Sequence, residues 1–340
     1  MFAYTHIFLT FGPFDLLTSE SMDSLILGGT QFVGLHLVEY LIKEGHKVTI
    51  LNRGLSEAKL PDEVTRLTAD RNDKKQVAEV LKGKSFDVVY DISGYTPNVV
   101  EDILDILDGQ IGHYVLCSTT SVYAASEIRP VFEDSALDRR PEASDYAREK
   151  IACEDLLLKF HAEHGLPTTS LRLVYVYGPH NNLKQREHTF FARITHGRKL
   201  IVPGDGQRLL HFIHVDDLAA AFATVPTRKQ ATGQIYTIAA NEMITVKGYI
   251  QTLSDIMNKE VEVIHVEPKR YEELEANVFP FGWGISSVYS NEKARRDLDW
   301  APRYNIHDGL AMTYQWWLEQ GHDKEPWDFE GEDQILSKLS

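Results

Sequence analysis

Three glycines within seven residues, set between a short apolar run and an amphipathic segment, constrain this chain more than any other feature. Ser24-Leu25-Ile26-Leu27 leads into Gly28-Gly29-Thr30-Gln31-Phe32-Val33-Gly34. From Phe32 to Glu44 the apolar residues Phe32, Leu35, Leu37, Val38, Leu41 and Ile42 predict a helix, which Gly45-His46 ends. Lys47 to Leu51 reads as a second strand. Strand, glycine turn, helix and strand in that order make a dinucleotide-binding βαβ unit. Gly28 permits the tight turn and Gly34 lets the helix lie close on the sheet. The free N–H groups of the helix N-terminus suit a pyrophosphate. Thr30, Gln31, Phe32 and Val33 complete the candidate phosphate loop. Gln31 stands where the fingerprint has its middle glycine and places a Cβ near the phosphate path.

The dinucleotide's ribose should be read at the end of the second strand, where Asn52-Arg53-Gly54 stands in place of an acid. An acid there would accept from the 2′-hydroxyl of NAD, whereas arginine suits the 2′-phosphate of NADP. Asn52 can still bond a hydroxyl, so the cofactor is NAD or NADP with a slight lean to NADP from Arg53. Asp70 and Arg71 fall where an adenine edge would rest.

Alternation continues along the chain. Helices are expected at Lys74 to Leu81 and Val99 to Leu107, and strands at Phe86 to Ile92, His113 to Cys117 and Leu171 to Tyr175. Short apolar strands between helices predict an α/β fold with a doubly wound parallel (Rossmann) sheet. Ligands in such sheets lie beyond the strand C-termini. Gly28, Asn52, Ser93-Gly94 and Thr119 all fall at such ends, so Ser93 and Gly94 join the cofactor candidates. The expected division is a dinucleotide-binding domain over 22–178, to which 207–240 returns. Residues 179–206 and 241–330 form a smaller C-terminal substrate lobe, with helices near Val246 to Met257, Asn291 to Leu298 and His307 to Trp317. Tyr271 to Trp283 reads as a mobile lid or, equally, a surface excursion.

Tyr146 and Lys150 lie four apart in Asp145 to His164, which reads as a helix, so their side chains share a face. An ammonium beside a phenol favours the phenolate, and a tyrosine tuned that way can move a proton at neutral pH. Tyr-x-x-x-Lys occurs by chance on many helices. Its weight comes from the glycine turn upstream and the hydroxyl cluster Ser118-Thr119-Thr120-Ser121 between them.

These pieces, with Arg172-Leu-Val-Tyr-Val-Tyr-Gly-Pro179, Phe212-Ile-His-Val-Asp-Asp-Leu218 and Asn291-Glu-Lys-Ala-Arg-Arg-Asp-Leu-Asp-Trp300, resemble the extended short-chain dehydrogenase/reductases. Within them the match is to the NAD-dependent epimerase/dehydratase group, over about Met22 to Trp317. Asn-Arg-Gly after the second strand is similar to a branch that includes chloroplast stem-loop RNA-binding proteins and unassigned epimerase-like proteins. The resemblance implies that Tyr146 is the acid/base and that Lys150 lowers its pKa and holds the nicotinamide ribose. It also implies that the Thr119 hydroxyl bonds the reacting oxygen, with Ser118 as the fallback.

On the substrate side the chain departs from the sugar-nucleotide epimerases. UDP-galactose 4-epimerase carries an arginine where Leu210 stands, and epimerases have an Arg-rich stretch where this chain has the aromatic Asn277-Val-Phe-Pro-Phe-Gly-Trp-Gly-Ile285. Both arginines serve the substrate diphosphate in that family. Tyr95, Tyr177, His180, Asn181, Arg193 and Arg208 are the candidate substrate contacts, and Lys184, Arg186, Lys269 and Arg270 are further cations.

A net charge of −15 opposes non-specific binding to nucleic acid or anionic membrane. Cys117 and Cys153 give no disulfide framework, and reduced cytoplasm is the simplest setting. Among the 14 histidines no His-Glu-x-x-His pattern occurs, and no catalytic metal is expected. Residues 1–21 are apolar but interrupted, with no Lys or Arg before Lys43, and are expected to be loosely packed or non-native. The expected partner is a small, sugar-like substrate, with no membrane and no nucleic acid; a homodimer is one assembly open to the chain. The leading reading is an NAD(P)-dependent enzyme moving hydride at a hydroxyl or ketone carbon, epimerase or reductase. Thr120 and Ser121, rather than carboxylates, make a dehydratase the weaker choice. A non-catalytic RNA binder or a cofactor-sensing protein is the alternative.

Overall fold

The computed structural model describes residues 21–56, 58–275, 278–282 and 284–339. Apart from Ser21, the expected N-terminal extension lies outside the described residues, as does Trp283 of the expected lid.

The first half of the chain alternates as its apolar periodicity demands. Strand β1 (Asp23–Leu27), helix α1 (Phe32–Lys43), β2 (Lys47–Asn52), β3 (Thr65–Thr68), α2 (Lys74–Leu81), β4 (Phe86–Asp91) and α3 (Pro97–Ile106) follow in order. Next come β5 (Ile111–Thr119), α4 (Asp145–His164), β6 (Thr168–Leu173) and β7 (Tyr175–Tyr177). The strand expected from Leu171 to Tyr175 is thus two strands, parted at Val174. The chain continues through α5 (Glu187–Thr195), β8 (Leu200–Pro203), β9 (Leu209–His214), α6 (Val215–Thr224), β10 (Gln234–Ile238), β11 (Met243–Thr245) and α7 (Val246–Met257). It closes with β12 (Val263–Val266), α8 (Pro268–Glu273), α9 (Glu292–Leu298), α10 (Ile306–Glu319) and α11 (Glu330–Leu339).

Seven parallel strands form the central sheet in the order β10-β6-β5-β4-β1-β2-β3. The order reverses between β1 and β4, and the crevice at that switch point is where such sheets bind ligands. Helices α1, α6 and α9 cover one face, where Leu37, Val38, Leu41, Phe222 and Leu298 are buried. Helices α2, α3 and α4 cover the other with Val77, Ile103, Leu104 and Leu157. A sheet covered on both faces explains why its central strands are uninterrupted apolar runs.

A separate apolar core gathers Phe190, Phe191, Leu253, Tyr271 and Trp317 from α5, α7, α8 and α10, with Phe281 from the segment after α8. Strand β9, within the segment expected to return to the large sheet, pairs with β7 and β11 in a small three-stranded sheet. Helix α6 and β10 of that segment rejoin the large sheet and its helices, and Ile213 of β9 adds its side chain to the same core. The expected lid is held instead: Tyr271, Phe279 and Phe281 are buried in the second core, where Phe281 stacks on Phe190 at 5.8 Å. Burial of these aromatic side chains favours the packed arrangement of the described residues. Polar groups tie the first region together and link it to the second. His36 of α1 bonds Asp216 of the neighbouring α6 at 2.6 Å, and the buried Asp217 of α6 accepts the backbone N–H groups of Arg303 and Tyr304, between α9 and α10, at 2.9 and 3.0 Å. No helix among the described residues is long and apolar enough to cross a membrane.

Candidate active site

A cleft of about 890 Å³ runs along the C-terminal ends of the central strands. One half is lined by Gly28, Thr30, Gln31, Phe32, Val33, Asn52, Arg53, Asp70, Arg71 and Ser93. Gly28 has φ +101°, a conformation that a side chain would strain. A Cβ on Gly34 would stand 2.1 Å from the Gly28 carbonyl oxygen, so the helix can press against the turn only with glycine there. Gln31 caps α1 by position but gives it no side-chain hydrogen bond. The Gly34 N–H turns back to the Gln31 carbonyl at 3.0 Å, and no side chain caps the N–H groups ahead of it, which suits a ligand there. A glycine-built cradle, an uncapped helix and a long cleft beside them fit a dinucleotide.

Asn52 turns its side-chain oxygen to the Gly54 N–H at 2.8 Å, and Arg53 stands exposed at the rim. The Asn182 amide donates to Gln31 Oε1 at 3.0 Å across the cleft mouth. The glutamine that replaced a glycine is thereby tied to the opposite wall.

Arg71 does something the sequence did not suggest. Its guanidinium grips Asp91 with bonds of 2.6 and 2.9 Å and donates to Ser93 Oγ at 2.7 Å. Tyr114 donates to the same carboxylate at 2.5 Å. Burial pushes the Asp91 carboxyl up, but the Arg71 charge and these bonds outweigh it and hold it below its usual range. Arg71 thus fastens the ends of β3 and β4 together under the Gly28 turn. The edge of its guanidinium is committed to that task rather than open to an adenine.

The second half of the cleft is walled by Leu173, Val174, Tyr175, Val176, Asn182, Leu183, Arg186, His211, Ser287 and Tyr289. Between the halves stand Tyr95, Cys117, Ser118, Thr119, Thr120, Ser121, Tyr146 and Lys150. Ser144 caps α4 through the Ala147 N–H, fixing the turn that presents Tyr146. Lys150, 1% exposed, donates to the carbonyls of Gly94 at 2.9 Å and Cys117 at 2.6 Å. Its ammonium lies 4.9 Å from the Tyr95 ring centre and 6.0 Å from that of Tyr146.

Tyr146 is 45% exposed. Burial pushes its phenol up, to about 12, with Cys117 adding to the rise and a hydrogen bond with Thr119 opposing it. The expected lowering by Lys150 does not govern the phenol in this geometry, because the ammonium is turned to two carbonyls. Thr119 accepts from the Ser121 N–H at 3.1 Å and faces the cleft. Ser118 instead donates inward to Glu154 Oε1 at 2.6 Å. Glu154 and Arg172 form a buried pair, 1% and 2% exposed, with bonds of 2.7 and 3.0 Å. Arg172 lies over the Tyr123 ring at 4.7 Å. This pair sits directly behind the hydroxyl cluster and ties α4 to β5 and β6. Glu154 stands one turn beyond Lys150 on the same helix, a spacing that could have revealed it.

Of the candidate substrate contacts, Tyr95 lines the cleft and the other five lie outside its lining. Tyr177 is buried in the second core against Phe212. His180 packs edge-on against His36 and tilted against Trp316, with ring centres 5.6 and 5.2 Å away. Asn181 turns inward to Glu187 at 2.8 Å. Arg193 is buried and paired with Glu332 of α11. Arg208 points to the Phe281 carbonyl at 3.4 Å. Each is drawn away by a carboxylate, a carbonyl or an aromatic neighbour, and for all but Asn181 that neighbour is remote in sequence.

Comparison with known proteins adds three findings. A sequence model described as "NAD dependent epimerase/dehydratase family" matches residues 24–239. The chloroplast stem-loop binding protein of 41 kDa b from Arabidopsis thaliana is 34% identical, over 96% of this chain and 87% of its own. UDP-glucose 4-epimerase from Corynebacterium glutamicum is 24% identical, over 86% and 96%. Among solved structures, UDP-glucose 4-epimerase from Thermotoga maritima, with UDP-glucose, superposes with a TM-score of 0.74 at 21% identity, covering 88% of this chain and 99% of that one. The dTDP-glucose 4,6-dehydratase from Bacillus anthracis, in complex with NAD, gives 0.74 at 20% identity over 89% and 98%.

The Arg71 geometry has a measurable consequence. Arg71→Ala strands the Asp91 carboxylate in the interior and should destabilise the fold by about 3–5 kcal/mol, read by chemical denaturation. Wild-type stability with weaker dinucleotide binding alone would return Arg71 to the role of a ligand contact.

Proposed function

This chain belongs to the NAD dependent epimerase/dehydratase family, and from that membership we propose an enzyme that moves hydride at a hydroxyl-bearing carbon of a sugar-like, nucleotide-sugar-class substrate. One observation carries the reading: Tyr146, Thr119 and Lys150 converge on the junction between a dinucleotide-shaped half-cleft and a second half large enough for a substrate.

When bound, the dinucleotide supplies a nicotinamide that accepts a hydride and can return it. Gly28 to Val33, Asn52 and Arg53 would hold it, and Lys150, anchored on two carbonyls, would meet its ribose. Thr119 positions the reacting oxygen by hydrogen bonding, and Tyr146 carries the proton to or from it. A phenol pushed up to about 12 is protonated at neutral pH, which suits donation to a ketone oxygen. Asp70, on the loop after β3, is the one carboxylate that lines the cleft among the described residues. No acid therefore stands beside Thr119 to expel water, which favours epimerisation or simple reduction over dehydration. The dinucleotide is NAD or NADP, with Arg53 supporting NADP.

The stem-loop binding name of the Arabidopsis relative favours a second reading, in which the scaffold binds RNA. The net charge of −15 opposes it.

Tyr146→Phe deletes only the proton-carrying oxygen. Turnover should fall by about 10²–10⁴-fold with dinucleotide affinity unchanged, and a variant as active as wild type would end the assignment. Arg53→Ala should weaken NADP more than NAD in fluorescence titration; equal losses would remove its phosphate role. Filter binding with structured RNA at ~150 mM salt should show no tight complex, and tight, salt-sensitive retention would favour the second reading.

A further inference from the structure

We propose that Arg186 is the solitary phosphoryl clamp of the substrate half of the cleft, and that the substrate presents one phosphoryl group to it. This rests on reading that half as a substrate site. Four cations line the cleft among the described residues: Arg53, Arg71, Lys150 and Arg186. Arg53 stands at the dinucleotide end. Arg71 is paired with Asp91, and Lys150 is tied to the carbonyls of Gly94 and Cys117. Arg186 alone faces the second half.

Its neighbours show how it is kept ready. The guanidinium lies 4.7 Å from the Tyr175 ring centre and 5.7 Å from that of Phe281. A guanidinium over an aromatic face is held by cation–π attraction, while the N–H groups along its edge stay open for a two-pronged contact with an oxyanion. Arg186 forms no ion pair among the described residues, whereas Lys184, Arg193 and Arg198 nearby are matched to Glu325, Glu332 and Asp333. In a chain of net charge −15, Arg186 is thus a cation that faces the cleft with the buried Glu187 beside it to feel its charge.

The adjacent residue fixes the backbone. Glu187 is buried, and burial pushes its carboxyl above the usual value. It accepts from Asn181 Nδ2 at 2.8 Å and from the Gly178 N–H at 3.4 Å, closing the 178–187 loop on itself. The loop is thus stapled from beneath, and Arg186 projects from a fixed point. His211, also in the wall, is occupied by the Ala240 carbonyl at 2.8 Å and the Tyr289 N–H at 3.2 Å, and burial lowers its pKa, so it adds no second positive charge. Leu210 beside it is buried and apolar. One fork can grip one phosphoryl group, so a second phosphate on the ligand gains little.

Isothermal titration of dinucleotide-loaded protein with uridine, UMP, UDP, galactose 1-phosphate and inorganic phosphate tests this. UMP and UDP should bind within about threefold of each other. Arg186→Gln should weaken both by at least about tenfold and leave uridine and dinucleotide binding unchanged, and Arg186→Lys should recover part of the loss. Galactose 1-phosphate responding to Arg186 as UMP does would assign the group to a sugar phosphate; a response by UMP alone would assign it to a nucleotide, and either supports the clamp. Wild-type phosphate affinity in Arg186→Gln would overturn it, as would no measurable binding of any phosphate ligand to the wild type. A tenfold preference for UDP over UMP would overturn the single-group geometry. Should the protein bind no dinucleotide, the proposed enzymology falls, and the Arg186 comparison is still read on the cofactor-free chain.

Discussion

The contact between Gly34 and the Gly28 carbonyl sets everything downstream. A missing Cβ lets α1 begin against the turn that leaves β1, and that closeness aims the helix N-terminus along the cleft. The neighbouring strand ends are then braced around the turn. Arg71 and Ser93 are joined through Asp91, and a Cβ on Gly28 would lie 3.2 Å from Ser93 Oγ. The glycine-turn half of the cleft is therefore built from backbone geometry and one buried ion pair.

A second buried pair does for the chemistry what the first does for the turn. Glu154 and Arg172 lock α4 to β6, and Ser118 is drawn into the same network. That leaves Thr119 as the hydroxyl next to Tyr146. Buried pairs are weak contributors to net stability, yet removing one partner is strongly destabilising. Their value here lies in geometry, because each fixes a functional neighbour one residue or one turn away. The same logic appears in Glu187, an unpaired buried carboxyl that staples a loop and thereby sets the base of Arg186.

Much of this was legible in the chain itself. The limits of α2, α4 and α7 match the periodicity residue for residue, and those of α1, α3 and α10 fall within two residues. These elements bury one continuous face, which is the pattern that periodicity reports. The strands β8, β10, β11 and β12 and the helices α5, α8 and α11 escaped, since they are short or lie in polar stretches whose partners come late in the chain. The aromatic run near Phe279 and Phe281 reads equally as a lid or a surface excursion because nothing local says what covers it. In the structure Phe190, Phe212 and Tyr249 do.

What the sequence determined alone was the order of elements, the glycine turn, and the pairing of Tyr146 with Lys150 on one helical face, all consequences of short-range sterics and spacing. What only the tertiary structure decided was which polar side chains remain available to a ligand. Arg71, Ser118, Arg193 and Arg208 each carry suitable chemistry, but distant groups claim them, and Glu187 claims Asn181 from within its own loop. Arg186 and Thr119 are left facing the cleft. Hydrogen-bond and charge partners in a packed interior come from anywhere along the chain, so a residue's type fixes what it can bind, while its neighbours in space fix whether it is free to do so.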